Sequence, residues 1–409
     1  MPGTVRPTQQ SDQQLAALFD PLWNRLQPIG RDARTGGYHR FAWTSAELEC
    51  REWFHAAAAA RGLDVETDRN GNLWAWWSTG NGEPADAIIT GSHLDSVPAG
   101  GAYDGPLGVA SGFVAIDLLR ARGGRPDRPI AVAAFADEEG SRFGVACAGS
   151  RLLAGTLDPG RARGLIDADG TSLAEAMTAA GHDPAWLGRD EAMLDRIGVF
   201  VELHVEQGRA LVDQGAAVGV ASAIWPHGRW RFDFAGEANH AGTTRLEDRD
   251  DPTLPYASSV LAARAAAQRA GALATFGKVL VEPNGTNAIP SAVHAWLDAR
   301  GPDEDAVRAV LAELEAVSGA TVTEESYTAA VQFEPALRKR LASLLGDVPV
   351  LPTGAGHDAG ILNPFVPTAM LFVRNPTGIS HSPVEFAEPA DCLAGADALA
   401  TVLADLACR

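Results

Sequence analysis

Four short apolar runs in this sequence each lead into side chains able to hold a metal ion. The run through Ile88 and Ile89 leads to Gly91-Ser92-His93-Leu94-Asp95, and Ile130–Ala136 leads to Asp137-Glu138-Glu139-Gly140. A third ends in Glu202-Leu203-His204-Val205-Glu206-Gln207-Gly208, and a fourth precedes Gly378-Ile379-Ser380-His381-Ser382-Pro383. Between the first two sits Gly100-Gly101-Ala102-Tyr103-Asp104-Gly105, a glycine-rich turn that can carry one carboxylate back over a sheet edge. His93, Asp104, Glu139, His204 and His381 supply imidazole nitrogen and carboxylate oxygen without thiolate. Zn²⁺ favours that donor set, and Mn²⁺ or Co²⁺ also accepts it. With Asp104 bridging two cations, each has three protein ligands and one open position. A metal with an open position lowers the pKa of a water from ~15.7 toward ~7, which is what hydrolysis at neutral pH needs.

Two neighbours complete the chemistry. A loop at a strand end can aim one of two adjacent carboxylates at a metal and the other at its water, which makes Glu138 the candidate general base and then acid. Asp95, two residues past His93, is placed to accept the free ring N–H and fix the tautomer.

The elements that must position these residues can be read from periodicity. From residue 85 the chain alternates apolar strand patterns with helical ones, which predicts an α/β fold built on a mainly parallel mixed sheet flanked by helices. The expected strands are Ala87–Thr90, Ile130–Ala136, Val199–His204 and Thr368–Val373, with a helix over Val109–Arg122 that aligns Val109, Phe113, Ile116 and Leu119. In open parallel sheets ligands sit beyond the carboxyl ends of the strands, where the four motifs fall.

After Gly215 the pattern changes to β-α-β-β-α-β, the order of a ferredoxin-like α+β unit. This predicts an inserted domain at 216–329 and a discontinuous larger domain of 1–215 plus 330–409, rejoined by a helix at Pro335–Leu345.

Length and composition bound the rest. The 409 residues are two to three times a domain of ~150, with 46% hydrophobic and 21% charged residues, ordinary for a folded soluble chain. A net charge of -19 repels phosphate backbones and anionic headgroups, which argues against nucleic acid or a membrane surface as partner. Cys50, Cys147, Cys392 and Cys408 show no C-x-x-C spacing and read as reduced thiols of a cytoplasmic protein. The polar start, residues 1–14, carries no apolar signal segment, and no apolar run is long enough to span a membrane.

At these motifs the chain resembles the M20-type metallopeptidase superfamily, in the branch of allantoate amidohydrolase, N-carbamoyl-L-amino-acid hydrolase and β-ureidopropionase. The resemblance runs over nearly the whole chain. It rests on GSHLDSVPAGGAYDGPLGV at Gly91, FADEEGSRFG at Phe135, ELHVEQG at Glu202, NHAGTT at Asn239, GAGHDAG at Gly354 and GISHSPVE at Gly378. It implies a zinc-exopeptidase-like fold and a dinuclear centre, with His93 and His204 on one metal, Glu139 and His381 on the other, Asp104 between them and Glu138 as base. It also implies a homodimer formed through the inserted lid domain, with His240 of the NHAG motif reaching the partner's site to hold the oxyanion. By the same resemblance Gln207, Asn287 and Arg300 contact a small carboxylate-bearing substrate, Arg300 by its guanidinium fork. His357 and Asp358 match the family without an assigned role.

The expected activity is hydrolysis of an N-carbamoyl or similar small N-acyl group from an amino acid or ureido acid such as allantoate. An N-formyl or N-acyl amino acid deacylase and a dipeptidase of the same superfamily are the nearer alternatives. A catalytically silent metal-stabilised dimer is the alternative of another class.

Overall fold

The computed structural model describes residues 9–80 and 85–408, so residues 1–8 of the polar start lie outside it. The chain divides into two compact units, one comprising residues up to Ser222 with Phe333–Leu351 and Gly356–Arg409, the other Ala223–Gln332 with Pro352–Ala355. Along the chain the first strands are β1 (Asp64–Thr67), β2 (Leu73–Trp77), β3 (Ala87–His93), β4 (Ile130–Phe135), β5 (Ile197–Val205) and β6 (Val218–Ile224). They are followed by β7 (His227–Ala235), β8 (Asn239–His240), β9 (Leu273–Glu282), β10 (Ala288–Ile289), β11 (Ala292–Arg300) and β12 (Thr321–Thr328). The last are β13 (Val331–Gln332), β14 (Val350–Thr353) and β15 (Thr368–Val373).

The larger unit is built on a mixed sheet in which strands run in the order β1-β2-β4-β3-β5-β15-β6. The central four, β4, β3, β5 and β15, are mutually parallel, and the flanking pairs are antiparallel. β3, β4 and β15 are buried at every position, as strands covered on both faces must be. Register matters for the site. His93 stands beside Phe135, and His204 beside Phe372, so the carboxyl ends of all four parallel strands reach one edge of the sheet. The helix Pro106–Ala121 begins with proline at its first turn and buries Val109, Phe113 and Ile116 completely. Each such side chain contributes about 1.5–3 kcal/mol by leaving water.

Two features depart from the expected pattern. β6, which composition grouped with the insertion, pairs instead with β15, Val220 opposite Leu371. β2 carries the run Leu-Trp-Ala-Trp-Trp, which is buried on both faces and has no alternation to reveal it.

The smaller unit is an antiparallel sheet ordered β12-β7-β11-β9. Trp230, Phe232, Phe234, Val293, Ala295 and Leu297 point to one face and bury themselves with Ala263 and Ala266 of the helix Thr253–Ala270 and Val307, Val310 and Leu314 of the helix Glu304–Ser318. Its β-α-β-β-α-β order is the ferredoxin-like one. Among the described residues, no helix is long and apolar enough to cross a membrane.

Candidate metal centre

Each parallel strand delivers one part of a single cluster in the larger unit. His93 closes β3 and His204 lies near the end of β5, both 1% exposed. Beyond β4, Asp137 adopts a left-handed conformation with φ 54°, and the turn it makes sets Glu138 and Glu139 over the strand end. Asp104 precedes the helix Pro106–Ala121 through Gly105, whose φ is +84° and whose missing Cβ leaves room for the His93 ring. A Cβ there would stand 2.4 Å from the imidazole, so the turn that carries Asp104 across His93 requires glycine.

Asp104 is the centre of the geometry. Its Oδ1 lies 3.2 Å from His204 Nε2 and 3.5 Å from His93 Nε2, while its Oδ2 lies 3.4 Å from His381 Nε2. His381 Nε2 is also 3.6 Å from Glu139 Oε2. Two triplets result, His93–Asp104–His204 and Asp104–Glu139–His381, each with its donor atoms within 4.8 Å of one another and sharing one aspartate. His381 is half exposed and forms the open side.

The polar atoms of the cluster call for cations. The Nδ1–H of His204 donates to the Val205 carbonyl at 2.9 Å and that of His93 to the Asp95 carbonyl at 3.2 Å. With Nδ1 so engaged, each ring turns Nε2 toward the Asp104 carboxylate, the atom that a neutral ring would offer to a cation. Glu139 Oε1 is buried with no hydrogen-bond partner among the described residues. Electrostatics agree. Burial pushes Glu138 well above the ordinary carboxylate range and, with Asp104 nearby, lifts Glu139 to about 7. Burial would depress His93, yet Glu138, Asp104 and Asp95 outweigh it and hold the ring well above its ordinary value. Carboxylates that resist ionising beside imidazoles that resist deprotonating mark a site short of positive charge, and divalent cations on N and O donors supply it.

Around the triplets other side chains fix orientation. The Asp95 carboxylate accepts the main-chain N–H groups of Glu138 and Glu139, at 3.1 and 3.0 Å, and so ties the end of β3 to the turn after β4. This corrects the expected contact: the His93 ring N–H goes to the main-chain oxygen of Asp95, and the carboxylate stands at 3.6 Å, because two backbone donors occupy it. Glu138 Oε2 is 3.7 Å from His93 Nε2, and its Oε1 accepts the thiol of Cys147 at 3.2 Å. Gln207 donates its Nε2–H to Asp104 Oδ2 at 2.8 Å. Beneath the cluster, the His357 ring packs edge-on against His204 at 4.5 Å between centroids. Asp358 accepts Ser150 Oγ, and burial together with Glu202 pushes its carboxyl up to about 8.

His240, Asn287 and Arg300 belong to the smaller unit. β8 pairs with β10, so His240 and Asn287 are neighbours, with Ala241 N–H donating to the Asn287 carbonyl at 2.9 Å. His240 Nδ1 accepts the Gly242 N–H at 3.0 Å, which leaves the proton of the neutral ring on an exposed Nε2. Arg300, at the end of β11, donates to both oxygens of Asp298, at 2.7 and 3.0 Å, and to the Gly354 carbonyl at 2.8 Å. Cys147, Ser150, Glu202, Ser380 and Glu385 were not singled out from the sequence. Ser380 and Glu385, inside the GISHSPVE motif, and Glu202, which opens ELHVEQG, carried a signal.

Residues 89–405 match the model of peptidase family M20/M25/M40. The chain is 37% identical over 399 residues to an N-carbamoyl-L-amino acid amidohydrolase of Geobacillus stearothermophilus, covering 92% of this chain and 96% of that one. It is 34% identical to the allantoate amidohydrolase of Escherichia coli strain K12, covering 93% and 96%. A ureidoglycolate hydrolase of Arabidopsis thaliana is 30% identical, over 94% of this chain and 86% of that one. Among solved structures, a hydantoinase/carbamoylase family amidase from Burkholderia vietnamiensis superposes with a TM-score of 0.87 at 29% identity, over 97% and 98% of the two chains.

Proposed function

The chain belongs to peptidase family M20/M25/M40, and from that premise we propose a metal-dependent amidohydrolase that removes an N-carbamoyl or similar small N-acyl group from an amino acid or ureido acid. The observation that carries the reading is the single carboxylate of Asp104 turned to two ligand sets at once. His93 and His204 would hold one divalent cation and Glu139 and His381 the other, zinc first among metals that suit nitrogen and oxygen donors, with manganese or cobalt as alternatives.

Bound there, the cations would polarise the scissile carbonyl and acidify a water. Glu138 does the proton work: its thiol-bound Oε1 is fixed, and Oε2 is the oxygen that takes the proton from water and returns it to the leaving nitrogen. From an N-carbamoyl substrate the products are the amine, carbon dioxide and ammonia. Gln207 keeps Asp104 in its bridging orientation and retains a carbonyl oxygen to accept a substrate N–H. His240 offers an Nε2–H to the developing oxyanion, with Asn287 beside it. Arg300, paired with both oxygens of Asp298 and bonded to the Gly354 carbonyl, would bring its positive charge toward a substrate carboxylate.

A homodimer through the smaller unit suits its surface. β9 is the edge of its sheet and exposes Leu280 (51%), and the helix Thr253–Ala270 exposes Leu254 and Leu261 on one face, seven residues apart. In such a dimer His240 would serve the site of the second subunit.

The deciding experiment is a panel of allantoate, N-carbamoyl-L-amino acids, β-ureido acids, N-formyl amino acids and dipeptides, scored for ammonia, formate or free amino acid. Ammonia from ureido acids supports the reading, and free amino acid from dipeptides without ammonia refutes it.

A further inference from the structure

Glu385 lies at the end of the GISHSPVE motif, 5% exposed, and no step above uses it. Its Oε1 accepts the main-chain N–H groups of Tyr103 and Asp104, at 2.9 and 3.0 Å. Its Oε2 is 2.9 Å from Ser380 Oγ, and that hydroxyl is in turn 3.1 Å from Asp104 Oδ2. The carboxylate therefore grips the loop bearing Asp104 from its backbone side and reaches the side chain through Ser380, the residue before His381. The chain makes room for it at Gly101, where a Cβ would stand 2.2 Å from Glu385 Oε1.

We infer that Glu385 is a positioning residue, which joins the turn before Asp104 to the loop of His381 and thereby keeps the two oxygens of Asp104 turned toward different cations. The inference rests on the two-cation reading above. A carboxylate free to rotate about its χ2 would present both oxygens to one cation and leave the other with two protein ligands. Glu385, Ser380 and Gln207 together remove that freedom, with Gln207 also on Oδ2 at 2.8 Å. Partners one step beyond the ligands set metal affinity in this way, typically by about 10–100-fold.

The test measures zinc stoichiometry and both dissociation constants by chelator competition on the full chain, alongside kcat and KM. Glu385→Ala is expected to hold one zinc at concentrations where the unaltered protein holds two, with the weaker constant raised about 10–100-fold. Glu385→Gln keeps an acceptor for the two backbone N–H groups and a polar contact to Ser380, so it is expected to restore the second zinc. Should Glu385→Ala fail to fold, Ser380→Ala carries the test, since it cuts the link between the two carboxylates, with the 3.4 Å contact from Gln207 Nε2, and leaves the backbone grip of Glu385 in place, so it should weaken the second zinc alone. Two zinc ions bound with unchanged constants in the folded Ala variant, or in Ser380→Ala, overturn the role of Glu385. Fewer than two zinc ions on the unaltered protein overturns the two-cation reading itself, and the inference with it.

Discussion

Cys147 Sγ lies 3.2 Å from Oε1 of Glu138, and the main-chain N–H of the same cysteine donates to the Glu138 carbonyl at 2.6 Å. A buried thiol thus faces the oxygen of Glu138 that does not face His93. A thiol is a weak donor, so it directs the carboxylate without stabilising its charge strongly. Cys147→Ala is expected to lower kcat by about fivefold, the equivalent of ~1 kcal/mol, with KM and zinc content unchanged. Cys147→Ser should recover most of that loss. Equal kcat in all three proteins refutes the contact's role.

Glu138→Gln keeps the shape of the side chain and removes its basicity. Turnover should fall by about 10²–10⁴, with two zinc ions and the thermal midpoint retained. Turnover within twofold of the unaltered enzyme would assign the base elsewhere.

Chelation should abolish turnover, and zinc, manganese or cobalt should restore it. Because several carboxylates are buried together and Glu139 Oε1 has no hydrogen-bond partner among the described residues, the metal-free protein is expected to be the less stable one. At a thousandfold excess of zinc over its dissociation constant, one site adds ~4 kcal/mol, which a thermal melt with and without zinc reads directly.

Arg300→Ala should act on substrate capture. With a cation facing the substrate carboxylate removed, kcat/KM should fall by about 10–100-fold, mostly through KM. Arg300→Lys should recover little, since an ammonium cannot replace a planar fork. An unchanged KM would confine Arg300 to its pairing with Asp298.

Leu261→Glu places a charge on the exposed face of the helix Thr253–Ala270. Sedimentation should show a dimer for the unaltered chain and a monomer for the variant. A monomer in both cases rejects the proposed interface.

The ligand cluster was legible because parallel strands buried on both faces read as unbroken apolar runs, and each run was followed at once by its motif. β3 and β4 announced His93 and Glu139 in that way. β2 stayed hidden because its tryptophan-rich run has no period, and β6 because strand order depends on pairing with β15, more than a hundred residues away. The roles of Glu385 and Ser150 were hidden for a related reason: each has partners far along the chain, Tyr103 and Asp104 for one, Asp358 for the other. Asp95 shows the limit within a motif. Spacing put its side chain on His93, but spacing could not foresee that the turn after β4 would bring two amides to claim it.

Asp104 gives Oδ1 to one ligand set and Oδ2 to the other. Occupancies of the two positions are then not independent events. A first cation would draw electron density from the oxygen awaiting the second, so the second would bind more weakly, and partly loaded protein would hold more singly occupied chains than independent filling gives.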